Sequence, residues 1–264
     1  MRRALAGCLA LSVAAPPLGV FLVLRRMSLM SDVLQHGVLP GIAVGAAVGG
    51  LSVWAMGAGG LLAGLAVALL AGWFARRTGT GEDSQLAALY LVALAAGVAL
   101  ISAQRGVDLT HLLFGSVLAV DDTALLAMAG AATLTLPVLA VIWRPMVLES
   151  LDPGFPSGFG GIWHGCFLAL VVLCVVSGFE ALGTLMSVGL MMLPAIAARH
   201  WCGSLAGQVS AAVALAVAAS VIGLLVSFNV EIPAGPAIVL TAGGFWVVSL
   251  LAGPREGLLR TRGG

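Results

Sequence analysis

The sequence predicts an all-α protein, a polytopic membrane bundle of about nine transmembrane helices, with eight as the alternative count. Three observations carry this. Of 264 residues, 61% are hydrophobic and 9% are charged, whereas soluble domains carry about 25% charged residues. The apolar residues fall in stretches long enough to cross a hydrocarbon core, which takes about 20 residues per helix. The 36 glycines are too many for a soluble helical protein and suit membrane helices, whose backbones approach one another at small residues.

In chain order the expected spans are 4–24, 30–56, 58–75, 84–103, 122–143, 163–180, 182–199, 205–228 and 234–252. The first follows Met1-Arg2-Arg3, as a cleaved signal peptide would. Its apolar stretch continues to Leu24 and ends in Arg25-Arg26, which suits a retained helix better. The run 163–199 is too long for one helix and is divided near Gly178 and Gly183. The polar or broken stretches at 76–84, 144–162 and 253–264 are too short for a soluble domain. Residues 1–264 are therefore expected to form one transmembrane domain.

Arginine placement sets the expected orientation, because cytoplasmic loops hold the excess of positive charge. With the N-terminus outside and the C-terminus cytoplasmic, nine arginines lie inside: Arg25, Arg26, Arg76, Arg77, Arg144, Arg199, Arg255, Arg260 and Arg262. Three lie outside: Arg2, Arg3 and Arg105. The inverted arrangement reverses these numbers.

Several function classes fall away. The chain has no lysine, and a Walker A loop needs one for the β- and γ-phosphates. If ATP is used, another chain binds it. A net charge of +1 argues against a nucleic-acid partner. Cys8, Cys166, Cys174 and Cys202 contain no C-x-x-C pair and are read as packing residues.

The segment 25–45 carries the chemistry. Asp32 and His36 stand four residues apart in an apolar span, on one face of a helix. Ionisable groups entering hydrocarbon are costly and mark functional candidates. A carboxylate and an imidazole suit a divalent metal such as zinc or manganese. Gly37, Gly41, Gly45 and Gly49 form a neighbouring stripe for close helix packing. Pro40 has no N–H to offer the carbonyl of His36. The row Asp32, His36, Pro40 thus suits the wall of a pathway. A plainer reading fits the same residues: Asp32 as an interfacial cap or a partner of Arg26, and His36 hydrogen-bonded between helices.

The stretch R-R-M-S-L-M-S-D-V-L-Q-H-G-V-L-P-G at 25–41 resembles the signature of membrane permease subunits of bacterial ABC importers for zinc, manganese and related metals. P-L-G-V-F-L-V-L-R-R-M at 17–27, H-L-L-F-G-S-V-L-A-V at 111–120, G-T-L-M-S-V-G-L-M-M-L-P-A-I-A-A-R at 183–199 and I-P-A-G-P-A-I-V-L at 232–240 follow in the same order. The resemblance implies a multi-pass protein of the bacterial plasma membrane, working as a homodimer of permeases. It implies a cytoplasmic ATPase dimer as motor and an extracytoplasmic metal-binding protein that delivers the ion. It maps the family's metal contacts onto Asp32 and His36, with zinc or manganese as cargo and iron as a further candidate. No permanently bound cofactor is implied, and ATP belongs to the partner subunit alone.

The loop after the fifth span is where such a fold meets its ATPase. Family members place a short helix there; this chain has Pro153, Gly154, Pro156, Gly158, Gly160 and Gly161, which disfavour one. Only Met146 to Asp152 is expected to make a turn or two.

Other polar residues have ordinary readings. Glu180 is either an entrance ligand or a hydrogen-bonding group between helices. Asp108, His111, Asp121, Asp122 and Glu231 fall on the outer side as solvated charge, or as a docking surface for a delivery protein. His164 and His200 are expected at the cytoplasmic interface, and Pro194 frees the carbonyl of Leu190. Met186, Met191 and Met192 are read as packing, since thioethers favour copper(I) over zinc or manganese.

Three rival functions fit parts of the sequence: an intramembrane hydrolase, a permease for a metal chelate, and a binding or scaffold subunit that carries nothing, the last suited by the altered loop at 144–162. An intramembrane metal-dependent hydrolase lacks support, because H-E-x-x-H and G-x-S-x-G are both absent. A permease for a metal chelate such as a siderophore or cobalamin needs no ligating pair.

Overall fold

The computed structural model describes residues 2–28, 30–50, 52–79, 82–103, 121–151 and 162–255, without the side chains at 76, 82, 83, 103, 151, 180 and 181. The described residues form ten α-helices and no strand. They are α1 (Arg2–Leu24), α2 (Met30–Gly37), α3 (Leu39–Gly49), α4 (Val53–Thr78), α5 (Glu82–Ala103), α6 (Asp122–Leu151), α7 (Ile162–Leu182), α8 (Thr184–Arg199), α9 (Leu205–Val230) and α10 (Ala234–Ala252). Helices are forced here, because hydrocarbon offers no partner for an unpaired backbone group.

Seven of these helices are long and apolar enough to cross a membrane. Two further units complete the expected nine. α8 has 16 residues. α2 and α3 form one broken helix: Val38 N–H donates to the carbonyl of Leu34 and Ile42 N–H to that of Val38, both at 3.0 Å. From Met30 to Gly49 such a unit reaches about 30 Å.

Three boundaries differ from the sequence reading. The chain turns at Gly50, with φ +68°, and α4 starts at Val53, so the second span ends well before 56. Glycine supplies that left-handed turn at no steric cost. α6 continues through Pro145 to Leu151, beyond the expected end at 143. The division near 178–183 falls at Gly183, with φ +86°. Gly178 instead lies inside α7, packed against Ser187.

α1 is the central element. It packs on α6, α7, α8 and α9, and 72% of its apolar window is buried, against 28% for α4 and 22% for α5. Pro16 and Pro17 lie within it and leave the carbonyls of Ser12 and Val13 without their usual donors. The Ser12 hydroxyl reaches the Ser220 hydroxyl at 2.8 Å and the Ala216 carbonyl at 3.3 Å, tying α1 to α9. Gly19 lies against the backbone of Met191, where any Cβ would collide.

The glycine stripe of α3 has a single destination. Gly41 faces the backbone of Gly59, and Gly45 and Gly49 face Ala55, so α3 and α4 form a close antiparallel hairpin. That pairing brings backbone against backbone, which only glycine permits.

α1 and α6 run in the same direction. Arg3, at the start of α1, pairs with Asp122 at 3.1 Å, at the start of α6. Arg25, just past the end of α1, pairs with Glu149 at 2.7 Å, in the last turn of α6. Asp121 caps α6: its carboxylate accepts from the Thr123 hydroxyl and from Ala124 N–H. The Thr123 bond first, and then the Ala124 bond, hold this carboxyl below its usual range.

Two outcomes follow. Gly41→Ala should destabilise the purified protein by about 1–3 kcal/mol through overpacking, whereas Gly130→Ala, where nothing lies within 4 Å, should be neutral or gain up to about 1 kcal/mol. Thermal unfolding in detergent compares the two. Asp121→Ala should cost about 1 kcal/mol at neutral pH. A carboxyl with a depressed pKa contributes above its unfolded value and loses that contribution as pH falls through the folded one. The gap between wild type and this variant should therefore close in acid.

Candidate metal site

Asp32 lies in the first turn of α2, where the partial positive charge of a helix N-terminus favours a carboxylate. The helix begins at Met30, so Asp32 is inside it and is not its cap. His36 follows one turn later. Its Nε2 stands 3.8 Å from Asp32 Oδ1. That is too long for a hydrogen bond. Bonds of about 2.0–2.2 Å from one ion to both atoms span this gap at an angle of about 120–145° at the metal.

The two side chains differ in access. That of Asp32 is 58% exposed and that of His36 28%. The imidazole packs on the ring of Tyr90 from α5, with centroids 6.1 Å apart. Its Nδ1 is buried without a hydrogen-bond partner, so Nε2 is the nitrogen turned toward the carboxylate. One turn further, Gly97 of α5 closes on Leu39 and Pro40. The row of Asp32, His36 and Pro40 therefore runs along α5, while the glycine stripe beside it is sealed against α4.

Sequence reasoning missed Ser31 and Gln35. Each precedes a candidate ligand by one position and points into the protein, at 0% and 3% exposure. Ser31 Oγ and Gln35 Oε1 have no hydrogen-bond partner, which is unusual for buried polar atoms. Their spacing of four residues was a visible signal, but neutral side chains do not draw attention as charges do.

The arrangement can offer an ion one carboxylate oxygen and one imidazole nitrogen. Among the described residues, no three His, Cys, Asp or Glu side chains gather to hold a metal. A structural zinc site takes four protein ligands. Two protein ligands would leave the remaining positions to water or to another molecule.

The remaining candidates disperse. Asp32 pairs with His36, and the arginine of the 25–26 doublet engaged with an acid is Arg25, with Glu149. Asp121 is a helix cap and Asp122 an exposed ion-pair partner of Arg3. Glu231 ends α9 in a left-handed conformation. His164 contacts Arg25, and His200 is buried behind α8, its carbonyl accepting from Arg255 N–H. The four cysteines are free thiols, Cys8 and Cys174 fully buried. Met186, Met191 and Met192 are buried in the core. Asp108 and His111 lie outside the described residues, as does the side chain of Glu180.

The fold is thus a multi-pass membrane bundle, with Asp32 and His36 as a candidate ligand pair on a broken helix. The chain belongs to the ABC 3 transport family, which it matches over residues 1–253. It is 30% identical to the manganese import system permease protein ScaB of Streptococcus parasanguinis, covering 97% of this chain and 91% of that one. It is also 30% identical to the chelated iron transport system membrane protein YfeD of Yersinia pestis, over 95% and 84% of the two chains. Among solved structures it is similar to PsaBC from Streptococcus pneumoniae in complex with Fab. There the TM-score is 0.85 at 28% identity, covering 99% of this chain and 94% of that one.

The two faces of α2 predict different chemical access. In a background without native cysteines, Asp32→Cys should react with a small thiol reagent faster than Ser31→Cys. Mass spectrometry of the labelled protein in detergent measures both rates, and equal rates would contradict the orientation of α2.

Proposed function

We propose that this chain is the membrane permease of an ABC importer for a divalent transition metal, with manganese(II) the first candidate. The observation that carries this reading is the open pair of Asp32 and His36 on a broken helix, in a chain of this family. Its relatives, a manganese import permease and a chelated iron transport protein, favour manganese and, second, iron; a mixed oxygen and nitrogen site also accepts zinc.

The chemistry is a replacement of hydration. A bare dication in hydrocarbon meets a very large desolvation cost. Asp32 supplies negative charge and His36 a neutral nitrogen, so water can be exchanged for protein ligands in steps. Two ligands hold weakly, and manganese is the weakest binder among the common divalent first-row metals. Release to the far side then needs no strong pull. Two copies of the permease facing each other would double the donors to four and enclose the path. The N-terminus is outside and the C-terminus cytoplasmic, so the end of the bundle holding Arg25 and Glu149 faces the ATPase dimer. A metal-binding protein delivers the ion at the other end, near Asp121 and Asp122. A chelate such as a siderophore would bring its own ligands and leave Asp32 and His36 without a task.

Uptake of radioactive manganese by cells expressing the whole importer tests this. Asp32→Ala and His36→Ala should each lower uptake by about tenfold or more, the scale on which loss of a metal-site group acts, with the complex still assembled. Wild-type uptake in both variants would refute the pathway. Competition by zinc and iron(II) ranks the cargo.

A further inference from the structure

Outside the candidate metal site, Arg25 holds a charge inside the protein, its side chain 8% exposed. It sits just after α1, and all three of its nitrogens are engaged. Nη2 reaches Glu149 Oε2 at 2.7 Å, Nη1 reaches His164 Nδ1 at 2.7 Å, and Nε donates to Ser150 Oγ at 3.3 Å. The guanidinium also lies 5.5 Å from the centre of the Phe167 ring. An arginine nitrogen can only donate, so in this contact His164 Nδ1 is the acceptor. Glu149 and Ser150 belong to the last turn of α6, and His164 and Phe167 to the start of α7.

A layer of aromatic rings backs this contact. Phe21, one turn before Arg25 on α1, meets Trp143 of α6 at 5.2 Å and Phe167 of α7 at 6.1 Å, both edge to face. The end of α1 is thus held in the fork between α6 and α7. Those two helices flank residues 152–161 in sequence.

The chain leaving the fork leads directly to the metal ligands. Arg26 adopts φ +59°, a left-handed conformation rarely taken by a side chain other than glycine. Its N–H donates to the Val23 carbonyl at 3.1 Å, and Met27 N–H to the Leu22 carbonyl at 2.9 Å. These paired bonds are a Schellman closure. Met30 N–H then donates to the Met27 carbonyl at 3.0 Å and opens α2. Asp32 follows Arg25 by seven residues through this hydrogen-bonded elbow.

We propose that Arg25, Glu149 and His164 form the joint that ties the ends of α6 and α7 to the helix bearing Asp32 and His36, so that the three helix ends move as one. The three are positioning residues: none is a candidate ligand. The proposal rests on the reading of this chain as an ABC importer permease, in which this end of the bundle faces the ATPase. Helix ends tied by one buried guanidinium move together, whereas separate surface ion pairs are weak and screened. Removing one partner of a buried pair leaves an uncompensated charge, so the joint should behave as a unit.

The test uses the complete importer in proteoliposomes, with manganese(II) as probe. ATP hydrolysis and metal uptake are measured together, alongside manganese binding without ATP. Arg25→Lys keeps the charge without the fork. Glu149→Gln keeps the shape without the charge. His164→Gln keeps an acceptor for Arg25, and His164→Leu removes it. In Arg25→Lys, Glu149→Gln and His164→Leu, metal carried per ATP should fall about tenfold, an ordinary size for coupling between sites, while hydrolysis and binding stay within about twofold. His164→Gln should retain wild-type coupling. A wild-type complex that carries no metal refutes the transport reading. If wild type carries metal, three results overturn the joint: unchanged metal per ATP in the variants, equal behaviour of His164→Gln and His164→Leu, or loss of assembly in all four variants.

Discussion

Hydrocarbon has no hydrogen bonds to give, and the rest of this structure follows from that constraint. Each backbone amide must be satisfied within its own helix or by a neighbour, so the described chain is helix and short connection. Where proline removes a donor, another element closes in. Pro16 and Pro17 interrupt α1 beside the hydroxyl contacts of Ser12 with α9. Pro40 interrupts the α2–α3 unit beneath Gly97 of α5. The breaks fall where helices press together, and the same glycines and serines that permit close approach surround them.

Charge is distributed by the same rule, and its two concentrations have opposite characters. Around Arg25 each guanidinium nitrogen has a partner, from Glu149, His164 or Ser150, and the Phe167 ring lies beside it. Such a cluster holds geometry. Around His36 the groups are under-matched. Asp32 is largely exposed, the imidazole stands beyond hydrogen-bond range of it, and Ser31, Gln35 and His36 Nδ1 lack partners. One cluster ties helix ends together and the other holds the candidate ligand pair, with the hydrogen-bonded turn that starts at Arg26 and Met27 between them.

Much of this was legible in the residues. Long apolar runs gave the helices, and four-residue spacing correctly placed Asp32 with His36 on one face and the glycines on another. A division near Gly178 and Gly183 was visible because the 37-residue run 163–199 exceeds one crossing, and the structure places it at Gly183. The boundary at Gly50 was not, since Val53, Trp54 and Ala55 are as apolar as the residues before the turn, and hydropathy cannot register a change of direction. The span expected to end at 143 continues through Pro145 to Leu151, since a membrane helix can take in a proline. Ser31 and Gln35 passed unnoticed because small neutral groups become informative only once their burial is known.

The sequence by itself determined the class of fold, the number of apolar segments and the pair of candidate ligands. Each of these depends on residues within one helix, where spacing alone sets which side chains share a face. Only the tertiary structure decided that α1 is the central helix, that the glycine stripe closes on α4 and not on a pathway, and that Arg25 joins Glu149 and His164. Those partners lie more than 120 residues away in the chain. Nothing local distinguishes a buried arginine from one at the membrane surface; the difference is made by what the remaining helices bring to it.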